Sequence, residues 1–135
     1  MSVPVGPIAH DTEVDLLVVG TGSGLATALY ADDLGLDTLV VEKSQYVGGS
    51  TSMSGGAFWA PGNHVLQRDG LNDSVERGLE YINDLVGDVA PRERWEALIK
   101  AGPAAIEKLD ELTDLELFWA KGYSDYHPER PGGAA

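Results

Sequence analysis

Apolar positions in the first third of the chain come in short unbroken runs rather than in alternation. Val14-Asp15-Leu16-Leu17-Val18-Val19 ends at Gly20, and Thr38-Leu39-Val40-Val41-Glu42 repeats the type. Such runs predict strands covered on both faces, as in a parallel sheet. Between them Leu25, Ala28, Leu29 and Ala31 recur at helical spacing, so Gly24–Leu34 is predicted as a helix with Gly35 as its C′ residue. Strand, helix and strand at this spacing make a βαβ unit, whose crossover is right-handed almost without exception. The predicted class is α/β, a Rossmann-like segment with an inserted helical region.

The pattern changes after the Ala60-Pro61-Gly62-Asn63 turn. Val75, Leu79, Ile82 and Val86 recur at helical spacing and Gly87 closes the segment, while Asp73-Ser74-Val75-Glu76 has capping-box spacing with Asp73 as the cap. Pro91 is predicted at N1 of the next helix, with Trp95, Leu98 and Ile99 on its buried side. Gly102-Pro103 is predicted to interrupt it, and Ala104–Leu112 to restart. Glu80, Asp84, Asp88, Glu107, Asp110 and Glu111 read as a solvated outer face. From Asp114 a short strand-like run leads into a Tyr/Pro/Gly-rich tail. The chain thus divides into a leader (1–13), a glycine-punctuated segment (14–62), an acidic helical region (63–113) and the tail (114–135).

Composition narrows the chemistry. Of 135 residues 17 are glycine, nearly twice the usual share, and none is cysteine, which rules out a disulfide scaffold, a thiolate metal site and a cysteine nucleophile. Nine basic against 22 acidic residues leave a net charge of −13. A chain so acidic has no electrostatic attraction for nucleic-acid phosphates or anionic membranes, so neither is an expected partner. Met1 to His10 carries no Lys or Arg and is broken by Pro4, Gly6 and Pro7, unlike a signal peptide. Leu16–Val19 is far short of the roughly 20 residues that span a bilayer, and the expected compartment is the cytoplasm. His10 and His64 have no partners at metal-ligand spacing, so no metal site is expected.

Gly20-Thr21-Gly22-Ser23-Gly24-Leu25 joins the first strand to its helix. Gly20 allows the tight turn, Gly22 lets a pyrophosphate approach the backbone, and the helix start at Ser23 and Gly24 offers free N–H groups and a partial positive charge. An acidic protein can hold a pyrophosphate this way because the attraction is local. Leu25 stands where the dinucleotide fingerprint has its third glycine, which predicts a slightly displaced helix or compensation by Ala26 and Ala28. Glu42, at the end of the second strand, stands where an acid hydrogen-bonds a ribose diol without a 2′-phosphate.

A second glycine-rich stretch, Gly48-Gly49-Ser50-Thr51-Ser52-Met53-Ser54-Gly55-Gly56, follows within a few residues of Glu42. A simple NAD fold would pass from the acid into another helix. Here many backbone N–H groups and four hydroxyls can fold against a long dinucleotide as a nest. Val18 to Gly22, Thr38 to Lys43 and Gly48 to Gly56 together resemble the FAD-binding half of the fumarate reductase/succinate dehydrogenase flavoprotein superfamily. Val65-Leu66-Gln67-Arg68-Asp69-Gly70, Gly122-Tyr123-Ser124-Asp125-Tyr126-His127-Pro128-Glu129 and Pro131-Gly132-Gly133 sharpen the resemblance to 3-ketosteroid Δ1-dehydrogenases.

The resemblance implies a non-covalent FAD and removal of two hydrogens across a C–C bond next to a ketone. In that family a tyrosinate-like base takes the proton α to the carbonyl, the flavin accepts a hydride, and a second tyrosine and a backbone N–H polarise the ketone. Members with covalent flavin use a histidine just before the Thr of the second loop; Ser50 stands there. By this resemblance Gly20, Gly22, Ser23 and Gly24 take the pyrophosphate and Glu42 the adenosine ribose. Lys43, Ser44, Gly49, Ser50, Thr51, Gly55 and Gly56 line the remaining flavin contacts, and Tyr126 and His127 sit at the substrate pocket. Family members carry a tyrosine where this chain has His127. Such enzymes are several times longer, so this sequence matches their N-terminal part, and little turnover is expected of it alone. Two alternatives stand beside this reading. One is a fumarate reductase-type flavoprotein, for whose dicarboxylate the tail offers Arg130 and His127; the other is a truncated, non-catalytic remnant.

Overall fold

The computed structural model describes residues 6 and 11–134, so most of the predicted leader lies outside the described residues. The chain falls into two compact units, Met1–Ala57 and Phe58–Ala135.

The first unit is the predicted βαβ. β1 (Leu16–Val19) and β2 (Thr38–Val41) pair in parallel, Val18 opposite Val40 and Val19 opposite Val41, with α1 (Gly24–Asp33) as the crossover. The ladder extends one residue at each end, from the Asp15 N–H to the Asp37 carbonyl and from the Gly20 N–H to the Val41 carbonyl. α1 ends in a Schellman motif: the Leu36 N–H bonds the Ala31 carbonyl and the Gly35 N–H the Asp32 carbonyl, with Gly35 at φ +76°. The expectation of strands covered on both faces fails for β1. Val18 is buried beneath α1, whereas Leu17 and Val19 are 54% and 79% exposed. Among the described residues of this unit, α1 is the single α-helix, and one helix covers one face. A βαβ fragment with few strands is expected to leave such apolar surface open.

The second unit is helical: α2 (His64–Arg68), α3 (Val75–Val86) and α4 (Arg92–Leu112), with a 3₁₀ turn at Gly87–Val89. Its core is Val65, Tyr81, Trp95, Ile99 and Ile106. The five-residue α2 is not predicted by periodicity. It is nucleated by Asn63, whose buried side chain accepts from the N–H groups of Val65 and Leu66 (3.0 and 3.2 Å) and donates to the Ala60 carbonyl (2.7 Å).

Several local expectations are corrected. α3 is capped by Ser74, which accepts from the Arg77 N–H at 3.2 Å, while Asp73 instead accepts from the Gly62 N–H at 2.7 Å. Its deepest line runs through Gly78 and Tyr81, with Val75, Leu79, Ile82 and Val86 half-buried. The approach at Gly78 sets this face, because a Cβ there would lie 2.5 Å from Pro61 Cγ. α4 passes uninterrupted through Pro103, and Pro91 precedes it as the cap. Trp95, Ile99, Gly102 and Ile106 fall on one face, so packing on both sides of the proline offsets its cost of about 3 kcal/mol. Leu98 lies off that face and is 69% exposed.

The strand-like run from Asp114 is irregular: it has no ladder partner among the described residues, and Leu115 and Phe118 are exposed. The acidic outer face is largely as expected, with Glu80, Asp88 and Glu107 exposed. Two of its members make longer-range pairs, Asp84 with Arg130 (3.2 Å) and Asp110 with His64 Nε2 (2.9 Å).

The tail is held by buried and backbone groups of the same unit. Arg77 donates to the Gly133 carbonyl at 2.8 Å, and the Tyr81 hydroxyl accepts from the His127 N–H at 3.1 Å. The Asp125 carboxylate accepts from Trp59 Nε1 and the Ala134 N–H, while the Asp125 N–H donates to the Ala134 carbonyl. Residues 125–134 therefore form a closed loop. The loop packs on α3 at Gly132, where a Cβ would lie 2.3 Å from the Arg77 carbonyl oxygen.

Candidate functional site

The turn out of β1 sets the site. Gly20 takes φ +94°, a conformation that L side chains rarely adopt, and swings the chain from the strand into α1. Gly24 then lies so close to β1 that a Cβ would sit 2.8 Å from Val18 Cγ1. The close helix–strand packing expected of a third fingerprint glycine thus falls one residue early, on Gly24. Leu25 points outward, and neither a displaced helix nor Ala26 and Ala28 is needed to explain it. Ser23, at the N-cap, makes no side-chain cap hydrogen bond, so the start of α1 is not closed by its own sequence.

The second glycine stretch folds back over the first. A Cβ on Gly49 would meet the Gly22 backbone at 3.4 Å, and one on Gly22 would meet Thr51 Oγ1 at 3.3 Å. A single 3₁₀ turn, Thr51–Met53, fixes this return, with the Ser52 N–H bonded to the Gly48 carbonyl at 3.1 Å. The result is an open cavity of about 600 Å³ between the two loops and the strand ends, walled by backbone at Gly20, Gly22, Gly24 and Gly49.

Nine of the residues assigned to a cofactor line this cavity together: Gly20, Gly22, Ser23, Gly24, Glu42, Lys43, Gly49, Ser50 and Thr51. Ser44, Gly55 and Gly56 do not. The Ser44 N–H donates to Glu42 Oε1 at 2.9 Å and its hydroxyl to the Tyr46 carbonyl at 2.6 Å. The Gly56 N–H donates to Ser54 Oγ at 3.1 Å, past the end of the 3₁₀ turn. Tyr126 and His127 belong to the second unit. Tyr126 is 89% exposed, and His127 Nδ1 lies 3.4 Å from a Glu129 carboxylate oxygen. Among the described residues there is no cluster of three metal-ligating side chains, and no helix is long and apolar enough to cross a membrane.

Glu42 is the most strongly perturbed acid of the unit. Oε2 accepts from both the N–H (2.9 Å) and the hydroxyl of Thr21, and Oε1 from the Ser44 N–H. These bonds to the charged form pull its pKa from the usual 4.5 to about 2. The Ser44 N–H contributes most, followed by the Thr21 hydroxyl and N–H, against a small opposing effect of burial. A carboxylate so held is an acceptor throughout the physiological range.

Thr21 is the residue that sequence reasoning passes over. It is buried at 5% exposure, and its hydroxyl, while donating to Glu42, accepts the Gly48 N–H at 2.8 Å. Strand register is the signal that would have found it. With Val19 opposite Val41 and the Gly20 N–H on the Val41 carbonyl, register brings Gly20 beside Glu42, and the turn at Gly20 then delivers Thr21 to that carboxylate.

The donor set fits FAD. Backbone walls and an uncapped helix start suit a pyrophosphate, and an ionised acid beside them suits a ribose. The comparisons with known proteins agree. The FAD binding domain family matches residues 15–134. A 3-oxosteroid 1-dehydrogenase from Mycolicibacterium smegmatis is 43% identical over 122 residues, 90% of this chain and 21% of the relative. A urocanate reductase from Eggerthella lenta is 44% identical over 91 residues, 64% of this chain and 15% of the relative. The crystal structure of the Sterolibacterium denitrificans 3-ketosteroid Δ1-dehydrogenase, in complex with 1,4-androstadiene-3,17-dione, superposes with a TM-score of 0.81 at 35% identity. That match covers 89% of this chain and 21% of the other. The chain spans about a fifth of the length of these steroid dehydrogenases. By its loops, its acid and this match along nearly its whole length, the chain belongs to the FAD binding domain family.

Proposed function

We propose that the chain supplies the adenosine- and pyrophosphate-holding part of an FAD-dependent dehydrogenase that introduces a C=C bond next to a ketone, on a 3-ketosteroid or a similar cyclic ketone. The observation that carries this is the single cavity in which both glycine loops and the ionised Glu42 meet, in a chain 43% identical to a 3-oxosteroid 1-dehydrogenase. Gly20, Gly22, Ser23 and Gly24 would hold the pyrophosphate and Glu42 the ribose. Lys43, Gly49, Ser50 and Thr51 would hold the adjoining parts of a non-covalent cofactor. FAD, when bound, supplies the hydride acceptor. Tyr126 and His127 are assigned to the substrate end, presented by the closed loop at 125–134.

A reductase acting on a carboxylate substrate is the second reading, favoured by the similarity to a urocanate reductase. Against it, Arg130 is engaged by Asp84 at 3.2 Å and His127 faces Glu129, which leaves few free cations in the tail. The test is to purify the intact protein, release its yellow cofactor by denaturation, and assay a 3-ketosteroid and fumarate side by side. FAD freed into the supernatant, with dye reduction by the steroid alone, is the expected result. A colourless protein indifferent to FAD would remove the proposal, and turnover of fumarate alone would replace it with the second reading.

A further inference from the structure

We propose that Thr21 is a positioning residue that aims the Glu42 carboxylate at the adenosine ribose; this rests on the proposed FAD reading of the cavity. Thr21 occupies the junction of the three segments that build the site. Its backbone belongs to the first glycine loop, its hydroxyl and N–H both reach Glu42 at the end of β2, and its oxygen receives the Gly48 N–H at the start of the second loop.

The proton count fixes the direction of each bond. A threonine hydroxyl has one proton and two lone pairs, and the Gly48 N–H can only donate. The Thr21 proton is therefore committed to Glu42 Oε2. Since Oε2 also takes the Thr21 N–H, both its donors come from one residue. Oε1 takes one direct bond, from the Ser44 N–H, with the Lys43 N–H adding the weakest pull on the carboxylate, and so is the oxygen with more acceptor capacity left for a sugar hydroxyl. Burial and β-branching hold the Thr21 side chain in one rotamer, so the carboxylate plane is set before any ligand arrives. Serine can make the same bonds with a freer side chain, and valine can keep the shape without either bond.

The discriminating experiment pairs a change in the protein with a change in the sugar. ADP and 2′,3′-dideoxy-ADP are titrated by calorimetry into the flavin-free intact protein, as wild type, T21V, T21S and T21A. Wild type is expected to prefer ADP by about tenfold or more, the size of one hydrogen bond to a charged group. T21V is expected to lose most of that preference by weakening ADP while leaving the dideoxy analogue within about threefold, and T21S to restore it. T21A, which leaves room for a water, is expected to follow T21V in weaker form and serves where T21V does not fold. Equal losses for both nucleotides, or a preference that survives T21V or T21A, would overturn the positioning role while leaving Glu42 on the ribose. A wild type that binds both nucleotides alike would overturn the role together with the ribose assignment beneath it.

Discussion

The two units use glycine differently: in the first its close approaches border an open cavity, whereas in the second, at Gly78 and Gly132, they seat Pro61 and the tail against α3 beside a filled core. Gly22 lies against Gly49 and Gly24 against Val18, and one apolar face of β1 stays open. The second unit instead buries the side chains of Val65, Tyr81, Trp95, Ile99 and Ile106, with Trp59 and Tyr81 rings 5.7 Å apart. The first arrangement leaves a cavity walled by peptide groups, which suits a polyanionic ligand; the second leaves a filled core, which suits a support. The difference puts the proposed cofactor cavity in the unit with the smaller core, while the proposed substrate-end residues Tyr126 and His127 belong to the other. Stability and ligand affinity should then respond to different substitutions.

The largest expected effect is in the core of the second unit. Ile99 is 2% exposed, and Ile99→Ala should cost about 2–5 kcal/mol in chemical denaturation, from lost transfer and an unfilled cavity. ADP affinity measured where the protein remains folded should not change, because Ile99 lines no part of the cavity. A matching loss of ADP affinity would break the separation drawn above.

Next in size is the close approach in the first unit. Gly24→Ala places a methyl 2.8 Å from Val18 Cγ1, and valine is stiff at χ1, so the strand or helix must move. The expected destabilisation is about 1–3 kcal/mol despite the better helix propensity of alanine. Val18→Ala in the same chain should recover part of it. Additive losses in that double-mutant cycle would show that the contact does not limit helix–strand packing.

Much of the first unit was legible because its information is local. Two apolar runs, a helix between them, Gly35 and Glu42 all act within a few residues of where they stand, and the Schellman bonds at Gly35 follow directly. The second glycine stretch stands out by its composition, but its contact with Gly22 and Thr21 spans the whole crossover and is not periodic. For the same reason composition does not separate Ser44, Gly55 and Gly56 from the residues that line the cavity. In the second unit what local pattern does not decide is which face packs. Leu98 and Ile99 are adjacent and equally apolar, and only the line from Trp95 through Gly102 to Ile106 selects Ile99. Pro103 read as a stop because its cost is local, while the packing that offsets it is tertiary. Asp73 and Ser74 are both good caps, and the demand of the Gly62 N–H on Asp73 leaves Ser74 to cap α3.

That competition gives a smaller prediction. Ser74→Ala should destabilise by about 1 kcal/mol, the usual value of an N-cap, read by denaturation. Asp73→Ala should act through the Gly62 turn instead and leave the helical signal of α3 intact. Loss of α3 helicity in Asp73→Ala, with Ser74→Ala silent, would restore the capping box predicted from the sequence.

At neutral pH the Glu42 carboxylate is ionised whether the chain is folded or not, and its contribution emerges as a slope in acid. Its pKa is about 2 in the folded chain against a usual 4.5, so the folded state favours the charged form. The stabilisation is fully present above about pH 4.5 and is lost progressively as pH falls toward 2, since the unfolded chain takes up the proton first. Glu42→Gln removes the titration, so its stability curve should be flatter than wild type across that window, while T21V should move the Glu42 midpoint back upward. Following the Glu42 side-chain carboxyl by NMR reads the midpoint directly. A wild-type value near 4.5 would mean that the bonds from Ser44 and Thr21 do not hold the acid in solution. The contrast between the two units would then rest on the glycines alone.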